Sequence, residues 1–342
     1  MPCAISVFGA GSWGTALSVS LSSAGHAVTL WARREDLANA IQQEGRNPEY
    51  LPDVSVPASV AVTADLALAA QQASCWVIAT PSHTVRKIAT DLLAFCDQET
   101  TVISVAKGIE IKTGLTTTAV LAGVVSPPIP RGNLVVLYGP SHAEEVGTRK
   151  PTTLVAASTD MRRAEAVQEI FMTDRLRIYV NSDVKGVEIG GSVKNIMAIA
   201  SGISDGVGYG DNARAALITR GIAEIQRLGS ALGADPQTFT GLTGLGDLVV
   251  TCTSRHSRNR HLGEAIGRGA TLGEITKSMN MVAEGVRTTK AVYNMAQRLG
   301  IEMPITEAVY GILFEGKQPH DVVQELMTRS AKQEEWLQVQ ER

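Results

Sequence analysis

The sequence predicts an α/β fold with a doubly wound sheet, followed by an all-helical domain. Three observations carry the prediction. Up to Val180, short apolar runs alternate with helical patterns. Beyond Asn181 the strand signals vanish and long helical patterns follow one another. The chain has 342 residues, room for about two domains at roughly 150 residues each, and either half is large enough to bury its own core.

The predicted strands are Ala4–Phe8, Ala27–Trp31, Cys75–Ala79, Thr101–Val105, Leu134–Tyr138, Thr153–Ala157 and Leu176–Val180. They are rich in Val and Ile and several are apolar throughout, as a parallel sheet covered on both faces requires. Helical patterns at Trp13–Ala24, Thr84–Phe95 and Arg162–Met172 fall between them, and strand alternating with helix implies a doubly wound sheet. The second half reads as helices at Val184–Ser204, Ala213–Leu232, Glu284–Leu299 and Ile305–Phe314. In Ala213–Leu232, residues Leu217, Ile218, Ile222, Ile225, Leu228 and Leu232 share one face, with Arg214, Arg220, Glu224 and Arg227 elsewhere. The expected domains are residues 1–183 and 184–342. No Pro/Gly/Ser-rich linker separates them, so they are expected to pack tightly, with a ligand cleft between them.

Lys and Arg total 31 against 34 Asp and Glu, a net charge of −3, which points to neither nucleic acid nor a membrane surface. Cations for an anionic ligand must therefore be gathered locally. The four cysteines, Cys3, Cys75, Cys96 and Cys252, form no CxxC pair, and no His or Cys stands at metal-ligand spacing. Reduced thiols in a reducing compartment and no metal site are expected. The first residues carry no basic segment, and no run of about 18 apolar residues occurs. The expectation is a cytoplasmic protein without membrane insertion.

Gly9-Ala10-Gly11-Ser12-Trp13-Gly14 follows the first strand and opens a helical run. That is the setting in which GxGxxG marks a Rossmann-type dinucleotide site. Gly9 permits the tight turn, Gly11 admits a pyrophosphate, and Gly14 lets helix pack on strand. The pyrophosphate then faces the N–H groups of the helix start. The plain alternative is a turn without a ligand. About 20 residues past the glycines, where an acid commonly receives a ribose hydroxyl, stand Arg33 and Arg34, followed by Glu35 and Asp36. Guanidinium groups suit a ribose 2′-phosphate, so NADP is expected over NAD; Glu35 or Asp36 reaching the ribose is the other reading.

Four further segments bear chemistry. Ala79-Thr80-Pro81-Ser82 follows one strand, with Pro81 starting a helix. Lys107 ends another, where a side chain points into the ligand crevice; a surface cation is the alternative. In Gly139-Pro140-Ser141-His142-Ala143-Glu144, Ser141 is either an N-cap, boxed by Glu144, or the border of a site. Lys194, in Gly190-Gly191-Ser192-Val193-Lys194-Asn195, lies among small and apolar residues. Buried, its lowered pKa would make it a usable base; snorkelling to the surface is the alternative. Last, Gly241-Leu242-Thr243-Gly244-Leu245-Gly246-Asp247 opens a helix that puts Asp247 and Thr251 on one face. Arg255-His256-Ser257-Arg258-Asn259-Arg260 then reads as a phosphate receptor or a solvated basic loop.

Together these segments resemble the bacterial glycerol-3-phosphate dehydrogenases. The match runs through FGAGSWGTAL, Ala32-Arg33-Arg34, SVAKGIE, GPSHAEEV and GGSVKNIMAIASGISDGVGYGDNARAALITRG, then GLTGLGDLVVTCTSRHSRNRHLG and MVAEG at Met281–Gly285. It spans about residues 5 to 315 with no departure at a motif position. The long GGSVKN and GLGDLVVTCTS stretches are far more specific than GxGxxG.

The resemblance implies Lys194 as proton acceptor for the C2 hydroxyl, with Lys107, Asn195, Asp247 and Thr251 around the reacting carbon. It implies Arg258 and Asn259 on the substrate phosphate, with Gly139, Ser141 and Ser257 also in the substrate site. Gly9, Gly11, Ser12, Trp13, Gly14, Arg33, Arg34, Lys107, Ala143, Arg258, Val282 and Glu284 are the implied cofactor residues. The helical domain is implied to be related to that of 6-phosphogluconate dehydrogenases, the assembly a homodimer, and the product glycerol 3-phosphate for phospholipid synthesis. Lys194 as free amine can take the hydroxyl proton and as ammonium return it. The positive charge of Lys107 suits a developing alkoxide. Two rivals remain: a hydroxy-acid dehydrogenase with the same plan, since a carboxylate also binds arginine, and a cofactor-binding sensor, which need not keep Lys194, Lys107 and Asp247.

Overall fold

A computed structural model describes residues 2–278 and 283–331. The strands are β1 (Ala4–Phe8), β2 (Ala27–Trp31), β3 (Arg46–Asn47), β4 (Leu51–Ser55), β5 (Val60–Thr63), β6 (Cys75–Ile78), β7 (Thr101–Ser104), β8 (Leu134–Tyr138), β9 (Thr152–Ala157) and β10 (Leu176–Asn181). Eight form one sheet in the order β10-β9-β8-β7-β6-β1-β2-β5, while β3 and β4 pair separately. The chain steps outward from β1 through β2 to β5, then returns to the other side of β1 at β6. That reversal opens a crevice at the carboxyl ends of β1 and β6.

All seven expected strands belong to this sheet. The parallel expectation holds from β5 to β8, but β9 pairs antiparallel with β8 and β10 follows β9. The reason is the connection: residues 139–151 contain only the short helix Ala143–Gly147, which does not carry the chain back across the sheet. The strands β3, β4 and β5 are additions to the expected set. The apolar strands bury both faces. On one, Leu17, Ile41 and Phe171 of three helices pack with Ile5, Leu30 and Val77; on the other, Ile88 and Leu121 pack with Phe8, Trp76 and Ile78.

Among the described residues every strand precedes the helix Val184–Val207. This helix is the axle of the second half. Asp183 caps its start by accepting from the Gly186 N–H at 2.9 Å, and each residue from Gly186 to Ser204 is buried. A helix buried all round is wrapped by others, here Gly210–Ala231, Asp247–Thr253, Arg258–Gly267, Glu284–Leu299 and Pro304–Phe314. Glu224 departs from its expected polar position: it is buried, and accepts from the Ile305 and Thr306 N–H groups at the start of Pro304–Phe314. Burial pushes its carboxyl up to about 7. No helix of the described residues is long and apolar enough to cross a membrane.

A buried carboxylate joins the two halves. Glu188, on the central helix, accepts from the Thr118 N–H at 2.7 Å and the Thr117 hydroxyl at 2.8 Å, at the start of the helix Thr117–Val125 against the sheet. Val187 adds an apolar contact to Val136, Tyr138 and Val155. The helix bearing Lys194 is thereby fixed against β8.

Candidate active site

The glycine loop crosses from β1 into the helix Ser12–Ser23. Gly9 has φ +124°, and a Cβ there would lie 2.8 Å from the Ala79 backbone after β6; only glycine meets both conditions. A Cβ on Gly14 would lie 1.9 Å from the Gly9 carbonyl oxygen, whereas one on Gly11 would meet nothing within 4 Å. So Gly9 and Gly14 close the turn, and Gly11 faces open space. The helix start has no side-chain cap and no acidic residue in its first turn, which leaves its N–H groups and positive end for an anion. These features fit a dinucleotide pyrophosphate. Ser12 donates to the Tyr50 carbonyl at 2.7 Å and Trp13 packs on the core.

The two arginines at the end of β2 stand differently. Arg34 pairs with Glu49 and, at 3.6 Å, with Asp36. Arg33 is exposed, and no ion pair involves it among the described residues. Across the crevice Glu284 accepts from the Ser82 N–H at 2.9 Å and from its hydroxyl at 2.5 Å. This clamp ties the helix Glu284–Leu299 to the loop after β6. Ser82 is a site residue whose role the sequence left unassigned. Val282 lies outside the described residues.

At the joint of the halves, Lys107 donates from beyond β7 to the Gly139 carbonyl at 2.8 Å and to Asp247 Oδ2 at 2.9 Å. The other oxygen of Asp247 accepts from Lys194. Lys194 also donates to the Thr251 hydroxyl at 2.8 Å, as the four-residue spacing of Asp247 and Thr251 predicts. Lys194 is therefore buried, not snorkelling; its side chain is 6% exposed. Burial lowers its pKa to about 7, the positive charge of Lys107 pushing the same way and Asp247 opposing. One carboxylate thus holds two ammonium groups, one of them poised between its two protonation states near neutral pH.

The basic loop divides in the same way as the arginine pair. Ser257, buried, caps the helix Arg258–Gly267 by accepting from the Arg260 N–H at 3.3 Å. Asn259 donates to Asn195 at 3.0 Å and accepts from the Gly285 N–H at 3.0 Å, which places the residue after Lys194 beside the one after Arg258. Arg258 is exposed at the helix start and has no ion pair among the described residues. Arg260 is not part of a phosphate receptor: it donates to Asp205 at 2.8 Å and pairs with it again at 2.6 Å. Of the two readings of Ser141, the N-cap fails. The helix Ala143–Gly147 takes His142 as its N-cap, and Ser141 donates back to Gly139 at 3.2 Å. Ala143 is buried directly behind. Glycines set the spacing of these parts. A Cβ on Gly263 would lie 2.1 Å from the Ile199 carbonyl oxygen, and one on Gly202 2.0 Å from that of Arg260, so the helix Arg258–Gly267 and the central helix touch backbone to backbone.

The model of the NAD-dependent glycerol-3-phosphate dehydrogenase N-terminus matches residues 4–164, and that of the C-terminus matches residues 183–324. The chain belongs to this family. It is accordingly an oxidoreductase. It is 58% identical to a glycerol-3-phosphate dehydrogenase of Salinibacter ruber over 98% of both chains. One from Chlorobium phaeobacteroides is 53% identical, over 96% of this chain and 98% of its own. The crystal structure of glycerol-3-phosphate dehydrogenase from Coxiella burnetii superposes with a TM-score of 0.91 at 40% identity, over 96% of this chain and 99% of that one. A D-mandelate dehydrogenase solved with NADH shares the fold, at a TM-score of 0.60 and 13% identity.

Proposed function

We propose that the chain interconverts dihydroxyacetone phosphate and sn-glycerol 3-phosphate, using NADP in preference to NAD. The observation that carries this is the pair of ammonium groups, Lys194 and Lys107, on the single carboxylate of Asp247, at the closed joint between a dinucleotide crevice and an exposed arginine. A bound nicotinamide would supply the hydride to C2. Lys194 as ammonium gives the proton to the C2 oxygen, leaving the alcohol and a free amine; in the reverse direction the amine takes that proton. Its pKa of about 7 makes both directions accessible near neutral pH. Lys107 lies beside the reacting oxygen, where its positive charge steadies the developing alkoxide. Arg258 and Asn259 hold the phosphate, Asn195, Thr251, Ser257, Ser141 and Gly139 complete the substrate wall, and remote binding of the phosphate orients the carbon.

The glycine loop, Ser12, Trp13, Arg33, Ala143 and Glu284 hold the dinucleotide in this reading. The relatives' names specify NAD(P)+, in keeping with both cofactors. The division into residues 1–183 and 184–342 follows the change from sheet to helices. A cytoplasmic homodimer that supplies glycerol 3-phosphate for phospholipid synthesis completes the proposal. The test is loss of NADPH absorbance on adding dihydroxyacetone phosphate. Rapid loss that requires the phosphate group supports it. No loss, with NADPH still bound, moves the hydroxy-acid and sensor readings ahead.

A further inference from the structure

We infer that His142 is a further substrate-binding residue, its Nε2 taking a hydrogen bond to an oxygen of the phosphorylated substrate. The inference rests on the functional reading above and on where this side chain sits. It follows β8 by four residues, next to Ser141, in the loop that Lys107 holds through the Gly139 carbonyl. Its ring meets that of His256 at 5.7 Å between centroids, inclined by 49°. His256 comes from the other half, two residues before Arg258. The histidine pair therefore spans the joint between the two halves.

The Nε2 of His142 is buried, and no group of the described residues is within hydrogen-bond reach of it. Buried polar atoms almost always have a partner, and this one lies one residue from Ser141 and under the field of Lys194 and Lys107, where a substrate oxygen would complete it. The charged and titratable groups that act on the ring are Lys194, Lys107, His256 and Asp247. Burial first, then the positive charges of Lys194 and Lys107, hold its pKa down at about 4. The imidazole is thus neutral at working pH. A neutral ring can donate to, or accept from, a hydroxyl or carbonyl oxygen without adding a third cation beside the two lysines. A substrate lacking that oxygen leaves the nitrogen unpaired, which makes His142 a source of specificity.

The experiment compares wild type, His142→Phe and His142→Gln in the reduction of dihydroxyacetone phosphate. Phe keeps an aromatic ring without the two nitrogens; Gln supplies a neutral hydrogen-bonding group in their place. The expected result is a KM for dihydroxyacetone phosphate raised roughly tenfold in His142→Phe, at about pH 6 and about pH 8 alike because the ring is neutral at both. The KM for NADPH stays unchanged, and His142→Gln recovers part of the loss. A KM within twofold of wild type, an equal rise for NADPH in both variants, or a loss that fades as the pH rises overturns the assignment. A wild type without turnover overturns the functional reading, and this inference with it; an active wild type with an unmoved variant overturns the His142 role alone.

Discussion

Lys194, in the middle of the central helix, donates to Asp247, the first residue of the helix Asp247–Thr253. Lys107, from the end of β7, reaches the other oxygen of the same carboxylate. Two ammonium groups from different halves are thereby brought to one point. Removing one partner of a buried charged pair leaves the other uncompensated, so Asp247 positions both lysines and balances their charge.

The lowered pKa of Lys194 predicts opposite pH dependences for the two directions. Oxidation of glycerol 3-phosphate needs the free amine, so kcat/KM rises with pH through about 7. Reduction needs the ammonium, so kcat/KM falls through the same range. Steady-state profiles in both directions check this. Profiles that move in the same direction contradict it.

Arg258 and Arg260 face different duties although they are two residues apart. Arg258→Ala should raise KM for dihydroxyacetone phosphate about ten- to hundredfold, the scale of a charge-assisted hydrogen bond, and leave KM for NADPH nearly unchanged. Arg260→Ala breaks the Asp205 pair and should lower thermal stability instead. Similar effects of Arg258→Ala on both KM values would remove it from the phosphate site.

At the end of β2, Arg34 is engaged by Glu49 while Arg33 is exposed. Arg33→Ala is expected to lower kcat/KM for NADPH while sparing NADH, and Arg34→Ala to do so less. A wild-type ratio near one for the two cofactors would refute the preference itself.

Gly263→Ala tests the backbone contact that sets the helix Arg258–Gly267 against the helix bearing Lys194. Its Cβ would meet the Ile199 carbonyl, and overpacking of this kind costs about 1–3 kcal/mol. Denaturant unfolding should show that loss, with KM for dihydroxyacetone phosphate raised as the helices part. Unchanged stability would show that the helices accommodate the methyl group.

The sheet was legible wherever apolar runs were continuous, because strands buried on both faces leave no other pattern. β4 escaped because Pro52 interrupts it, and β5 because it is a four-residue edge strand with Ala61 exposed. The antiparallel turn at β9 depends on the length and content of one connection, which apolar periodicity does not report. In the site, the spacing of Asp247 and Thr251 was readable as one helix face. The burial of Lys194 was not, since it depends on how many helices surround Val184–Val207. Arg260 and Glu224 show the same limit. Each looks like a surface charge in sequence, and each is claimed by a partner far along the chain, Asp205 or the start of Pro304–Phe314. Glu188 carried the same signal as Lys194, a charge among Val, Ile and Gly, and the same argument would have found it.

Proton transfer by Lys194 is tested most directly by single-turnover reduction of dihydroxyacetone phosphate by Lys194→Ala with NADPH bound. The variant is expected to fold, to bind NADPH as wild type does and to reduce substrate about 10² to 10⁴ times more slowly, the usual contribution of a positioned acid or base. A rate within a few-fold of wild type would contradict the assignment of the proton to Lys194.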